Sequence, residues 1–391
     1  MSNLFLTAPD PDYRIKGSRD PLGFQPVWQQ TGKLIIPYLS TVSSFLQDFQ
    51  TLALAWQIRQ THDLNEADFA RFFQRWEQLM AYVRKSRGDE QVLGITRVQK
   101  HWLSDRLPVS SEPGEVILLE SQRTAGVWGR YNSPFSDMCV REDQEFAAIF
   151  SKKINRVISL RRFQDCLKKD RFFITKAELA DFAGLFDLAE QERLFWGRVL
   201  LVDKVHGDFR KQVAARWDDL LGSDFFAQLA LLRRDADETL ARLLLCIEHS
   251  ERLICPLNRI FRYLQTRSFW TKVAIEGDEF IHTCREANRQ VQEAYLDMPA
   301  ELAIEKKELL GVFRLESNWE IVAALAHRNS AVSERRRGAP WIAIVNDGVE
   351  IYHREGANGD TRYDPERWHD NDYFTGTYFG LYEALQQKTT D

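Results

Sequence analysis

One stretch constrains this chain more than any other. From Ile35 to Trp56 apolar residues fall at Ile35, Leu39, Val42, Leu46, Phe49, Ala53 and Trp56, stepping by four and three alternately. That spacing lays a single stripe along a helix, with Ser40, Ser43, Ser44, Gln47, Asp48 and Gln50 mostly on the other faces. It predicts a helix over 35–56 around which the rest packs. A second amphipathic helix follows. Asn65 is its N-cap, with Asp68 three residues on, and Phe69, Phe72, Phe73, Trp76, Leu79, Met80 and Val83 recur at three and four. Ser86 to Gly88 stops it, and the short link from Gln60 to Asn65 makes the two helices antiparallel neighbours.

At 391 residues the chain exceeds the size at which one core usually stops growing, so several subdomains are expected. Hydrophobic residues at 44% and charged residues at 28% exclude a disordered or collagen-like chain. Eleven Trp and 25 Phe fill an interior, and aromatics are also enriched at interface centres, which leans toward a protein partner. The net charge of −5 gives no global pull toward phosphates, so nucleic acid would need a local patch. Cys139, Cys166, Cys246, Cys255 and Cys284 have no zinc spacing and read as reduced core cysteines. Met1 to Asp10 show no basic segment ahead of an apolar run, and no stretch is apolar enough to span a bilayer. A cytoplasmic address without a membrane partner is the expectation.

Residues 1–27 hold Pro9, Pro11, Pro21 and Pro26 and read as an extended arm. Its apolar Tyr13, Ile15, Leu22 and Phe24 are expected to lie on the helical body or on another subunit. Its Arg14, Lys16 and Arg19 fit solvated charges better than a phosphate contact. Further on, Val116 to Leu119 suits a short strand or a helix. In Gly126-Val127-Trp128-Gly129, the glycines suit close backbone packing around Trp128, with a ligand loop as the less favoured reading.

The block Asp20-Pro21-Leu22-Gly23-Phe24, the helix through Trp28 to Trp56, the segment Phe73 to Tyr82, and Gly126 to Tyr131 together resemble an uncharacterised bacterial family encoded near restriction and anti-phage defence genes. The resemblance covers roughly the first third of the chain and carries no catalytic motif. It implies a setting, that of a cytosolic defence component working with other subunits.

The densest basic run contains Lys152, Lys153, Arg156, Arg161, Arg162, Lys168, Lys169 and Arg171. If helical, it presents a positive face; a solvated face or an acidic partner fits better than DNA, which stays open. Thr175 and Glu178 form a capping box. The string from Glu178 to Leu185 matches the first helix and turn of a helix-turn-helix, but Asp187, Glu190 and Glu192 are acidic where a recognition helix meets phosphates, so a packing hairpin is favoured. Residues 208–330 are nearly continuous helix pattern, with Ser223 as a cap and Pro256 starting or kinking a helix. Near the C-terminus, Asn346-Asp347-Gly348 between Trp341 to Val345 and Val349 to Tyr352 signals a hairpin. A helix around Trp319 to Ala326, then Arg335, Arg336 and Arg337, then the hairpin is the order of a winged helix. A last helix from Tyr373 to Leu385 is expected beneath that hairpin.

Asp360, Asp364, Glu366, His369, Asp370 and Asp372 lack metal-site spacing and read as a solvated loop. Asp347 and Glu350 lack the lysine at Tyr352 that a nuclease pattern wants, and no nucleophile elbow occurs. The fold expected is mainly α: a multi-helix body with a small C-terminal α/β, winged-helix-like module. The expected division is an arm over 1–27, a helical domain with a short strand over 28–150, a central helical domain over 151–316, and the module over 317–391. The function expected is a noncatalytic scaffold or adaptor, plausible in anti-phage defence, that needs no cofactor or metal. It docks protein partners and in a further reading DNA, through Lys152, Lys153, Arg156, Arg161, Arg162, Lys168, Lys169, Arg335, Arg336 and Arg337. A stand-alone DNA-binding protein and a metal-dependent nuclease are the alternatives.

Overall fold

The computed structural model describes residues 20–287, 291–296, 300–354, 357–362, 364 and 367–386. They are mainly helical, with one two-stranded and one three-stranded antiparallel sheet. Contacts sort the chain into two units. The first joins the chain up to Ile35 with Lys211–Tyr373, and the second joins Ile36–Arg210 with the chain from Phe374 onward. Each unit therefore closes from separate stretches rather than from consecutive blocks.

In the second unit, the predicted helix over 35–56 begins only at Leu46, as α1 (Leu46–Thr61). Pro37 explains the shortfall, since its ring disfavours helical geometry in the residue before it and removes a donor. Serine side chains then capture the backbone, with Ser40 N–H donating to Ser43 Oγ at 2.9 Å. Val42 consequently leaves the stripe and is exposed, while Ile35 and Leu39 remain buried. The second helix matches its prediction: α2 (Glu66–Ser86) is capped by Asn65, whose side chain accepts from Asp68 N–H. Its end is a Schellman turn with Gly88 at φ +84°, closed by Asp89 N–H to Arg84 O at 3.1 Å. Trp76 donates to Thr51 O at 3.1 Å and ties α2 to α1.

α2 is not amphipathic along its whole length. Every residue from Arg75 to Arg84 is buried, including Arg75, Glu77, Gln78 and Arg84. Each polar member is satisfied by a different neighbour, as buried polar groups must be. Arg84 pairs with the fully buried Asp48 on α1 and with Asp89 at 2.7 Å. Gln78 donates to Ser110 O and accepts from Ser110 N–H, at 2.9 and 2.8 Å. Ser110 ends β1 (Arg106–Ser110), a strand that lies ahead of the run Val116 to Leu119 where a short strand or helix was expected. Residues 116–119 form neither strand nor helix, with a bend at 117–118. β1 pairs antiparallel with β2 (Arg171–Thr175), Pro108 facing Phe173. A strand holding a proline and only two alternating apolar residues carries a weak sequence signal, and a two-stranded sheet tolerates it.

The basic run is likewise not one helix. A helix ends at Ile154, turns follow, and another spans Arg161–Lys168 before β2. Thr175 and Glu178 do form the capping box. Glycines 126 and 129 pack tightly at the start of α3 (Val127–Asp137). A Cβ on Gly129 would lie 1.9 Å from Thr124 O, and one on Gly126 would lie 2.4 Å from Glu77 Oε1.

The first unit is built on α4 (Glu238–Leu264), which runs through Pro256 as a single helix; the residues on either side of the ring, Leu253 to Leu257, are all buried. The cap expected at Ser223 belongs to Asp224, whose side chain accepts from Ala227 N–H at 2.9 Å. Leu22 and Phe24 of the arm are buried, as expected; Tyr13, Ile15, Arg14, Lys16 and Arg19 lie outside the described residues. The arm is strapped to α5 (Asn318–Arg335): Arg328 Nε donates to Leu22 O at 2.6 Å and Asn329 Nδ2 to Pro21 O at 2.9 Å. The predicted hairpin is present as β4 (Ile342–Val345) and β5 (Gly348–Ile351), and β3 (Phe269–Thr271) joins it in the order β3-β5-β4. The last helix, expected from Tyr373 to Leu385, is α6 (Thr375–Gln386). It belongs to the second unit, where Tyr378 donates to Leu201 O and Thr377 to Ser40 O.

The Asp48–Arg84 pair yields a stability prediction. Arg84→Met strands a buried carboxylate and should cost roughly 3–5 kcal/mol, whereas adding Asp48→Leu should recover much of it. Urea unfolding of the two variants checks this, and equal losses would contradict it.

Candidate functional site

The turn-by-turn geometry of α2 creates a mouth in the second unit. Glu66, Phe69, Ala70, Phe73, Gln74 and Glu77 recur at three and four along one face. Trp128, Asn132 and Ser136 recur at four along α3 and line the opposite wall. Trp56 and Arg59 come from α1, Gln122 and Arg123 from the turn of helix Gln122–Ala125, and Arg141 from the 3-10 turn Val140–Glu142. Together they enclose about 460 Å³, within the range of small-molecule sites.

Four aromatic rings form the apolar wall. Trp56 and Trp128 lie 5.8 Å apart, and Phe69 and Phe73 meet Trp128 edge-on at 5.6 and 5.3 Å. The Arg141 guanidinium stands 4.3 Å from the Trp56 ring, and that of Arg59 stands 4.9 Å from Trp56 and 4.8 Å from Phe69. Arg59 and Arg123 have no carboxylate partner among the described residues, and Arg141 reaches only Glu142, at 3.9 Å. Arg71 is held by Asp68 at 2.7 Å.

Glu77 forms the floor. Its carboxylate accepts from Val127 N–H at 2.7 Å and from Gln122 Nε2 at 2.9 Å, which fixes the start of α3 and so the placing of Trp128. Burial nonetheless pushes its carboxyl up to about 7. Around the same mouth, three buried polar atoms have no hydrogen-bond partner: Trp56 Nε1, Asn132 Oδ1 and Arg141 Nε. Such atoms are uncommon, because each costs about 1–3 kcal/mol of lost hydration.

The sequence had singled out Trp128 and its glycines but not this mouth. The faces of α2 and α3 could have been read from their spacing; their meeting depends on Glu77, which looks in sequence like a surface glutamate. The ten basic residues read as DNA contacts fall out differently. Lys152, Arg156, Arg161 and Lys168 are exposed and without carboxylate partners among the described residues. Lys169 pairs with Asp165 at 2.7 Å, and Arg162 with Asp165 and Glu178 at 3.0 and 2.8 Å. Lys153 is buried, donating to Leu185 O and Asp187 O at 2.8 Å each and pairing with the buried Glu192. Arg335, Arg336 and Arg337 are exposed; Arg336 pairs with Asp20 at 3.1 Å. Arg337, at φ +58°, occupies the left-handed position of a Schellman turn that ends α5, with Gly338 N–H on Ser333 O at 2.9 Å.

Among the described residues no group of three or more His, Cys, Asp or Glu is placed to hold a metal. Asp370 lies between Arg259, at 3.3 Å, and Arg262, and His369 stacks on Phe225 at 4.6 Å. Glu366 lies outside the described residues. No described helix is long and apolar enough to cross a membrane. No family model, no curated protein and no solved structure matches the chain.

The raised Glu77 carboxyl sets a pH dependence. Between the unfolded value of 4.5 and the folded value of about 7, the unfolded chain gives up the proton while the fold retains it. Stability is therefore lost as pH rises across that window and is flat above it. Glu251, buried in the first unit and also pushed to about 7, adds a slope of the same sign. Glu77→Gln should shrink, without abolishing, the fall in urea midpoint between pH 5 and pH 8. An unchanged fall would show that Glu77 ionises normally.

Proposed function

We propose that the chain is a noncatalytic adaptor subunit that works by docking, and that the aromatic and arginine-lined mouth of the second unit is where it takes a ligand. The observation that carries this is one concave wall of aromatic rings edged by Arg59, Arg123 and Arg141, of which Arg59 and Arg123 have no carboxylate partner among the described residues. The multiprotein bacterial assembly and its anti-phage setting belong to this reading on the strength of the N-terminal resemblance. The hairpin that follows α5 is read with it, as a winged-helix-like docking element supported by the third strand, β3.

DNA is the second reading, favoured by one observation: Lys152, Arg156, Arg161 and Lys168 are exposed cations with no carboxylate neighbour among the described residues. Neutralising all four should weaken binding to duplex DNA and flatten its salt dependence. Identical salt slopes before and after would remove this face from consideration.

The docking reading is tested by saturation-transfer NMR of the purified chain with a set of flat, anionic and neutral fragments. Trp128→Ala should weaken the best binder about tenfold or more, and the binder should be recovered chemically unchanged. No engaged fragment, or binding indifferent to Trp128, would overturn the mouth as a docking site; turnover would overturn the noncatalytic assignment.

A further inference from the structure

The chemistry of the mouth narrows what can occupy it, an inference that rests on the docking reading above. A cationic ligand is disfavoured, because Arg59 and Arg141 already hold guanidiniums against the Trp56 ring. The charges lining the wall are four arginines, at 59, 71, 123 and 141, against two carboxylates, Glu66 and Glu77, with Arg71 held by Asp68 at 2.7 Å and Arg141 within 3.9 Å of Glu142. Glu77 is half protonated near neutral pH, since burial moves its carboxyl to about 7. The mouth is thus locally positive in a chain whose net charge is −5, which selects an anion.

One carboxylate takes one guanidinium fork, whereas a phosphate has three outer oxygens and accepts from several. Arg59 and Arg123 have no carboxylate partner among the described residues and Arg141 reaches only Glu142, at 3.9 Å, so the site offers more forks than an aromatic acid needs. Beside them stand aromatic faces suited to a flat ring, and base stacking on aromatic side chains contributes about 1–3 kcal/mol. The enclosed 460 Å³ suits a single small unit rather than a length of peptide.

We infer that the mouth of the second unit binds a nucleoside phosphate, with the base against Trp128 and the phosphate toward Arg141 and Arg123. A free mononucleotide and the phosphorylated 5′ end of a strand present the same chemistry.

Calorimetric titration of the whole chain tests this, with four probes: 5′-AMP, adenosine, inorganic phosphate and benzoate. The monophosphate should bind at least tenfold tighter than adenosine or phosphate. Arg141→Met should bring it down to the adenosine level while leaving adenosine unchanged, and Trp128→Leu should weaken both, with circular dichroism checking each fold. A 5′-phosphorylated dinucleotide run against AMP then distinguishes strand end from free nucleotide: the tighter one names the source, and either result supports the inference. Equal affinity for AMP and adenosine, or binding of benzoate without AMP, would overturn the nucleotide while leaving a docking mouth. If none of the probes binds and no fragment does, both readings fall together.

Discussion

The second unit depends on one helix carrying more buried polarity than a helix normally can. From Arg75 to Arg84, α2 is enclosed on every side, so each polar side chain along it must find a partner or cost the fold several kcal/mol. Apart from Asp48 and Thr51 on α1, the partners are mostly loops and element ends. Arg75 donates to Cys166 O at 2.9 Å and reaches Asp170 at 3.2 Å, Glu77 holds the start of α3, Gln78 holds the end of β1, and Arg84 holds Asp48 and the chain after Schellman-capped α2. Hydrophobic burial would press these segments against α2 in many registers; the hydrogen bonds allow one.

The mouth is a consequence of that arrangement. Glu77 brings α3 close only because residues 126 and 129 lack side chains, and the close approach turns Trp128 toward Trp56, Phe69 and Phe73. The aromatic wall is then set by the same bonds that hold the core. A site fixed by the core is preorganised, so less of a ligand's binding free energy goes into ordering side chains.

Much of this architecture was legible. The caps at Asn65 and Thr175, the stop at Gly88, the hairpin at Asn346-Asp347-Gly348 and the burial of Leu22 and Phe24 all follow from short-range chemistry and are present. Periodicity failed where a local signal outweighed it: Pro37 and the Ser40–Ser43 turn overrode a good heptad stripe, and continuous burial kept Pro256 inside α4. The strands β1 and β3 are short and owe their pairing to partners 61 or more residues away, as in Ser110 with Arg171 and Phe269 with Glu350. The mouth was the least legible part. Its two helical faces are visible as spacings, but their joining runs through Glu77 and Gln122, whose burial no composition or period reveals.

The central claim is that the mouth lined by Trp56 and Arg141 takes a ligand, whereas the Trp76 and Trp196 indoles are already bonded in the core. Side-chain 15N–1H NMR reads this directly, because Trp76 and Trp196 serve as internal controls, donating to Thr51 O and to Glu192, each at 3.1 Å. On saturation with a nucleoside monophosphate, the Trp56 indole and Arg141 Nε–H resonances should move and those of Trp76 and Trp196 should stay. Unmoved Trp56 and Arg141 signals, or all four shifting together, would contradict the account.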